Sequence, residues 1–160
     1  MKAASVKEIK QELTTRSPKE LLELCLRLSR FKKENKELLT YLLFESYDEQ
    51  AYIKSIKADI DDQFEQINRK SYFYIRKSTR KILSSTKKYI RYSGKNETEV
   101  DLLIYFCLAL KKFKPSMNGS AALQNMYIRQ VELIKKTLSK LHEDLQFDYE
   151  QDLIDLQGGK

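Results

Sequence analysis

The sequence has few of the residues on which metal centres, disulfide scaffolds and phosphate-binding loops depend. Its 160 residues include one histidine, two cysteines, two prolines, four glycines and no tryptophan. A structural zinc site takes about four Cys or His ligands, and a ferritin-like di-iron centre takes Glu-x-x-His motifs that this chain lacks. None of the first 93 residues is glycine, which excludes a Gly-rich phosphate loop there and disfavours a turn-rich β fold. We therefore expect no metal, no cofactor and no catalytic residue.

The two cysteines and the histidine lie far apart in the sequence. Cys25 and Cys107 both stand among apolar residues, so we interpret them as small core residues with reduced thiols, as in a cytosolic protein. We interpret His142 as a structural side chain, because no cluster of partner residues accompanies it. Residues 1–15 lack the apolar stretch of a secretory signal, and the apolar run over 102–110 is too short to span a membrane. These features predict a cytoplasmic protein without a transmembrane segment.

Apolar residues recur at helical spacing along most of the chain. The pattern predicts an all-α fold of about seven helices in antiparallel pairs, arranged as a helical bundle or a short HEAT-like solenoid. Capping-box patterns at Ser5 and Ser17 begin the first two helices, and Gly94 indicates a helix end. We expect a single helical domain over residues 1–157. Its expected parts are helical hairpins over 5–46 and 48–92, helices over 97–113 and 120–146, an acidic segment over 147–157, and a frayed tail over 158–160.

The N-terminal residues carry the pattern of a short helical pair. An amphipathic segment over 5–13 is followed by the sequence Lys-Glu-Leu-Leu at 19–22 and by Leu-Arg-Leu at 26–28. This pattern resembles the SAP helical hairpin of chromatin-associated proteins, although the Gly-containing linker of that motif is missing. The chain as a whole resembles bacterial all-helical proteins of unknown function, and its successive helix pairs are similar to those of HEAT-like solenoids.

A basic segment over residues 66–95 is the most unusual feature of the sequence. It contains ten Lys and Arg residues and no Asp or Glu, so it carries +10 while the other 130 residues sum to −3. If the segment is one continuous helix, most of these cations fall within an arc of roughly 140°, at about 100° per residue, opposite an apolar face. We call this arc, with one aromatic residue among its cations, the basic stripe and take it as the candidate binding site. Its members are Arg69, Lys70, Phe73, Arg76, Lys77, Arg80, Lys81, Lys87, Lys88 and Arg91.

Like charges at four-residue spacing oppose helix formation, so a helix face of one charge calls for an explanation. Three interpretations are open. Nucleic acid binds such rows through counterion release, and Phe73 could then stack on bases. Alternatively, residues 143–155, which overlap the acidic segment and carry −6, cover the stripe. The protein would then be a structural helical protein whose stripe is neutralised internally. The third interpretation is an acidic protein partner or an anionic membrane surface.

Two further hypotheses use other parts of the chain. Carboxylates and tyrosines between helices could line the pocket of an enzyme, and apolar residues at steps of three and four over 127–145 could form a homo-oligomer seam. The sequence favours a non-enzymatic binding or scaffolding module that uses the basic helix face, with nucleic acid or an acidic protein as its partner.

Overall fold

The computed structural model describes residues 1–158 and confirms the all-α fold. These residues form nine α-helices, a π-helical turn at Tyr41–Glu45 and a 3-10 turn at Met117–Gly119, and they contain no β-strand. The helices are α1 (Val6–Thr14), α2 (Pro18–Phe31), α3 (Lys33–Thr40), α4 (Glu49–Glu65), α5 (Tyr72–Ser93), α6 (Asn96–Lys112), α7 (Ala121–Leu138), α8 (Glu143–Asp148) and α9 (Glu150–Gln157). Nine helices replace the expected seven because the last long helix ends at Leu138 and the acidic segment folds as α8 and α9. None of the described helices combines the length and the apolarity needed to cross a bilayer.

The chain divides into two compact units, one over residues 1–44 and one from residue 45 onward. The first unit holds α1 to α3, and the second holds α4 to α9. That residues 1–157 act as a single domain stays a prediction. Of the expected frayed tail over 158–160, residues 159–160 lie outside the described residues.

The first unit consists of short amphipathic helices that are almost entirely exposed. Both expected capping boxes are present, since the hydroxyls of Ser5 and Ser17 each accept a hydrogen bond from the third helical amide at 3.3 Å. Helix α2 packs against α3, yet Tyr41 is the only buried residue among residues 1–44. Cys25 is exposed. The prediction of a core cysteine is therefore wrong at this position, because α2 contributes to no closed core.

The core of the second unit is built around α6, which packs against α4, α5, α7 and α9. Eight residues of α6 are buried. Phe106 is fully buried, and the Phe64 ring lies 5.8 Å from it, centroid to centroid. Cys107 is buried as expected, and burial raises the pKa of its thiol to about 12. Helix α6, which contains the apolar run over 102–110, is thus the central packing element of this unit.

Polar side chains at the start and in the middle of α4 join it to its neighbours. The Glu49 carboxylate accepts hydrogen bonds from the hydroxyls of Ser93 and Thr98 and lies 2.8 Å from the Lys95 ammonium. Further along α4, Lys57 pairs with Asp101 of α6 at 2.6 Å. These contacts join α4 to the end of α5 and to α6.

The expected oligomer seam over 127–145 is buried within the chain up to Leu138, whereas Leu141 and Leu145 are partly exposed. Tyr127, Val131, Ile134 and Leu138 are each at most 8% exposed. The chain leaves helical geometry after Leu138, so the seam does not continue to 145 as one helix. Burial of these side chains speaks against a homo-oligomer through residues 127–138, because they already fill the core of the second unit.

Candidate nucleic-acid interface

Helix α5 is continuous over 22 residues, from Tyr72 to Ser93. It ends at Gly94, which adopts the left-handed backbone conformation with φ of 67°, as expected for a helix-ending glycine. At about 1.5 Å per residue, the helix is about 33 Å long. The basic segment nevertheless does not form one rod over 66–95, because α4 ends at Glu65 and a turn separates it from α5.

Two members of the stripe therefore lie outside the helical arc. Arg69 and Lys70 belong to the turn before α5, where the Asn68 side chain accepts a hydrogen bond from the Lys70 amide at 3.0 Å. Both residues are exposed. The Arg69 guanidinium lies 4.7 Å from the centroid of the Phe113 ring, which follows α6. This cation–π contact holds the Arg69 side chain of the turn against the end of α6.

The buried face of α5 fixes the direction of the remaining cations. Its inward positions are separated by three or four residues, and two of them are threonines whose hydroxyls donate to the helix's own carbonyls, Thr79 to Ile75 at 2.8 Å and Thr86 to Ile82 at 2.9 Å. These four residues are at most 2% exposed. The opposite side of the helix therefore faces solvent. Lys77, Arg80, Lys81 and Arg91 are exposed there, and Arg76, Lys87 and Lys88 are partly exposed.

Among residues 1–158, most of these cations have no carboxylate partner. Within residues 1–158, and leaving Lys88 aside, no Lys or Arg of the stripe lies within 4.0 Å of an Asp or Glu oxygen. Arg76 instead donates from its Nε to the Tyr72 carbonyl at 3.2 Å, which steadies its side chain along the helix. The Lys88 ammonium lies 5.1 Å from the centroid of the Tyr89 ring. The stripe is thus a cationic surface that is available to a ligand along most of its length.

The acidic segment over 143–155 packs on α6 and α7. The Tyr127 hydroxyl donates to the Leu156 carbonyl at 2.7 Å, and the Lys111 ammonium donates to the Asp155 carbonyl. Burial raises the pKa of Tyr149 above its usual range, and the nearby charges of Asp101 and other α6 carboxylates add to this. Among the described residues none of these contacts reaches the stripe, so the expectation that this segment covers the stripe needs correction.

Two exposed aromatic rings stand at the start of the stripe. Phe73 is 61% exposed and Tyr74 is 46% exposed, and their ring centroids lie 5.5 Å apart in an edge-to-face arrangement. Phe73 precedes Arg76 and Lys77 by one helical turn, so its ring lies on the same side of α5 as the cations. The neighbouring Tyr72 differs, because its hydroxyl donates to the Ser116 carbonyl at 2.7 Å. One aromatic of the three thus anchors the helix, and two remain accessible.

One contact of this surface is not predictable from the sequence. The cation–π contact between Arg69 and Phe113 joins residues far apart in the chain, and no local sequence pattern indicates it. The sequence places Tyr74 on or beside the stripe as a second ring that could stack on bases, and the Tyr74 side chain is 46% exposed beside Phe73.

The other candidate residues have structural roles. His142 is the N-cap of α8, where its Nδ1 accepts a hydrogen bond from the Asp144 amide at 3.2 Å. Asp59 accepts a hydrogen bond from Gln63 on the same helix at 2.7 Å. The Tyr105 hydroxyl donates to Asp61 at 2.5 Å, and this bond is the main reason that the pKa of Tyr105 rises to about 12. In the part of the chain that the structure describes, no three His, Cys, Asp or Glu side chains are grouped to hold a metal ion.

Known proteins provide no family for this chain, since no family model, no curated protein and no solved structure matches it. Its function has to be inferred from the stripe and from the surfaces around it.

Proposed function

We propose that this protein is a non-enzymatic, cytoplasmic binding module that binds nucleic acid through the basic stripe of α5 and its preceding turn. One observation carries the proposal. A continuous helix buries one face and presents on the other a row of cations that, Lys88 apart, lie more than 4.0 Å from every carboxylate among residues 1–158. Phosphates are the ligands that such a row attracts, through charge and counterion release rather than through base sequence.

The length of the stripe suits a polyanion better than a single anion. From Arg76 to Arg91 the row extends for about 22 Å along the helix axis, at about 1.5 Å per residue. A free phosphate or a nucleotide would engage only one or two of these cations. A nucleic-acid backbone carries a charge at every nucleotide and can meet the row along its length.

The exposed Phe73 favours nucleic acid over an acidic protein. An acidic polypeptide would need only cations, whereas bases also stack on aromatic rings. Phe73 supplies such a ring within one helical turn of Arg76 and is 61% exposed. The surface combines a positively charged track with a stacking platform, which is the combination found in proteins that bind single strands without sequence preference.

The affinity should depend steeply on salt. The slope of log K against log[salt] is about −0.7 to −0.9 for each phosphate neutralised, so four contacts would give a slope of about −3 to −4. Four exposed cations of the stripe have no ion-pair partner among residues 1–158 and can be reversed together, as Lys77→Glu, Arg80→Glu, Lys81→Glu and Arg91→Glu.

A matched control reverses four exposed cations of the same unit on other helices and turns. These substitutions are Lys54→Glu, Arg129→Glu, Lys136→Glu and Lys140→Glu. Both variants change the formal net charge from +7 to −1. The measurement is fluorescence anisotropy with mixed-sequence DNA and RNA oligonucleotides at several salt concentrations, with circular dichroism to verify the helical content.

We expect the stripe variant to lose binding at every salt concentration and the control to lose much less. Equal losses in the two variants would attribute binding to net charge and would contradict the proposal. Failure of the unmodified chain to bind either nucleic acid at low salt would also contradict it. If polyglutamate competed with the oligonucleotides as well as unlabelled nucleic acid does, an acidic protein partner would be the better assignment.

A further inference from the structure

The first unit exposes far more apolar surface than the second. Of the 19 large hydrophobic side chains exposed among residues 1–158, 13 belong to residues 1–44. The same 44 residues contain one buried residue, Tyr41. Units of this size rarely build a sufficient core alone, and extended apolar patches on a protein surface mark sites of association.

Helix α2 is the centre of this exposed surface. Its leucines point in several directions around the helix, and Leu22, Leu24, Leu26 and Leu28 are between 39% and 59% exposed. Phe31, its last residue, is 77% exposed. A helix that is apolar on most sides is normally covered on most sides. Contact with α3 covers only part of α2, so a further surface remains for a partner.

A groove between α1 and α2 offers a defined seat for that partner. Ile9 and Leu13 of α1 and Leu24 of α2 supply its apolar lining, and Glu23 and Arg27 stand at its α2 side. These side chains are fixed within one unit, because Arg16 in the connecting turn pairs with carboxylates of both helices, at 3.3 and 3.6 Å. Amphipathic helices bind with their apolar face in hydrophobic grooves.

The order of charges on α2 indicates which helix the groove receives. One flank of the apolar row carries, from the N-terminus to the C-terminus, Glu20, Glu23, Arg27 and Arg30. A second α2 laid antiparallel places its basic half against the acidic half of the first, and the two-fold symmetry repeats the match. A parallel copy would oppose like charges. Closed two-fold pairing of this kind is the commonest form of protein oligomer.

We propose that residues 1–44 are a homodimer interface, in which α2 of a second copy of this chain lies antiparallel against the α1–α2 groove. The apolar residues supply the contact area, and Glu23 with Arg27 and Arg30 sets the direction. This inference does not depend on nucleic-acid binding, since it uses the first unit alone.

The charge pattern allows a test that only a second copy can satisfy. Glu23→Arg makes the flank basic from residue 23 onward, and Arg27→Glu with Arg30→Glu makes it acidic throughout. Glu20 is left unchanged because its carboxylate accepts a hydrogen bond from the Ser17 amide at 2.8 Å in the capping box. Matched controls place the same charge changes on exposed residues outside residues 1–44, as Glu132→Arg and as Arg129→Glu with Lys140→Glu.

Sedimentation equilibrium of the full chain over a wide concentration range gives the association state. We expect the unmodified chain and both controls to dimerise, and the dissociation constant of each α2 variant alone to rise at least about tenfold. An equimolar mixture of the acidic and basic α2 variants should recover the affinity as a heterodimer. A monomeric unmodified chain at the highest concentration, or variants that dimerise as tightly as the unmodified chain, would overturn the proposal. Failure of the mixture to associate while both variants keep their helical content would overturn it as well.

Discussion

Phe73→Ala separates contact with bases from contact with phosphates. The ring is 61% exposed, and its closest aromatic neighbour, Tyr74, lies at a centroid distance of 5.5 Å. Truncation of so exposed a side chain should change the free energy of unfolding by only about 0.5 kcal/mol. Any large effect on binding would therefore come from the ligand contact itself.

The expected magnitude follows from the strength of stacking. One base stacked on an aromatic side chain contributes about 1–3 kcal/mol, which corresponds to a roughly 5- to 150-fold loss of affinity when the ring is removed. Only unpaired bases can stack in this way. We therefore expect that loss with single-stranded oligonucleotides and a change below about twofold with a blunt duplex, which meets the cations through its phosphates alone.

The assay is fluorescence anisotropy with labelled oligothymidylate and with a duplex of equal length, at one low salt concentration. Ile128→Ala is the matched control, because Ile128 is a similarly exposed apolar side chain, at 51%, on α7. Phe73→Trp should keep or increase the affinity for the single strand. An unchanged single-strand affinity in Phe73→Ala would refute the stacking platform while leaving the phosphate contacts in place. Equal losses for the single strand and the duplex would show that the ring acts by positioning α5.

Two further predictions concern the second unit and the thiols. Glu49→Gln should lower the free energy of unfolding by about 1–3 kcal/mol in urea denaturation, because the partly buried carboxylate joins donors from α5, from the α5–α6 junction and from α6. An unchanged midpoint would show that these donors find other partners. Near neutral pH, and at a protein concentration low enough for the chain to be monomeric, the exposed Cys25 should react with a thiol reagent in the folded chain. Cys107 should not react, because burial raises the pKa of its thiol to about 12. Reaction of two thiols at equal rates without denaturant would contradict the packing around α6, and Cys25→Ser should remove the fast reaction.

Local patterns predicted those parts of the fold that depend on local physics. A serine followed three residues later by glutamate gives the caps of α1 and α2, since both reciprocal bonds form within a single turn. The spacing of Ile75, Ile82 and Ile90 identified the buried face of α5 in the same way. The direction of the stripe was therefore predictable from the sequence.

Features that depend on long-range packing were not predictable in this way. The apolar residues of α2 include positions at helical spacing, as those of α5 do, yet α2 buries none of its residues. Periodicity shows which side of a helix is apolar and not what covers that side. The misassignment of Cys25 has this cause. Residues 127–138 of the seam are the converse case, because their apolar side chains pack against partners in the same chain.

The uniform sign of the stripe has a cost that can be compared with the stability of the chain. Five pairs of like charges on α5 lie three or four residues apart: Arg76–Arg80, Lys77–Lys81, Lys87–Arg91, Lys77–Arg80 and Lys88–Arg91. At about 0.2–0.5 kcal/mol for each pair, the repulsion totals about 1–2.5 kcal/mol. A typical domain is stable by only about 5–15 kcal/mol, and alternating charges would remove this cost without disturbing the buried face. A polyanion bound along the stripe would reverse the sign of the same term, so the arrangement that weakens the free protein is the one that strengthens a complex with nucleic acid.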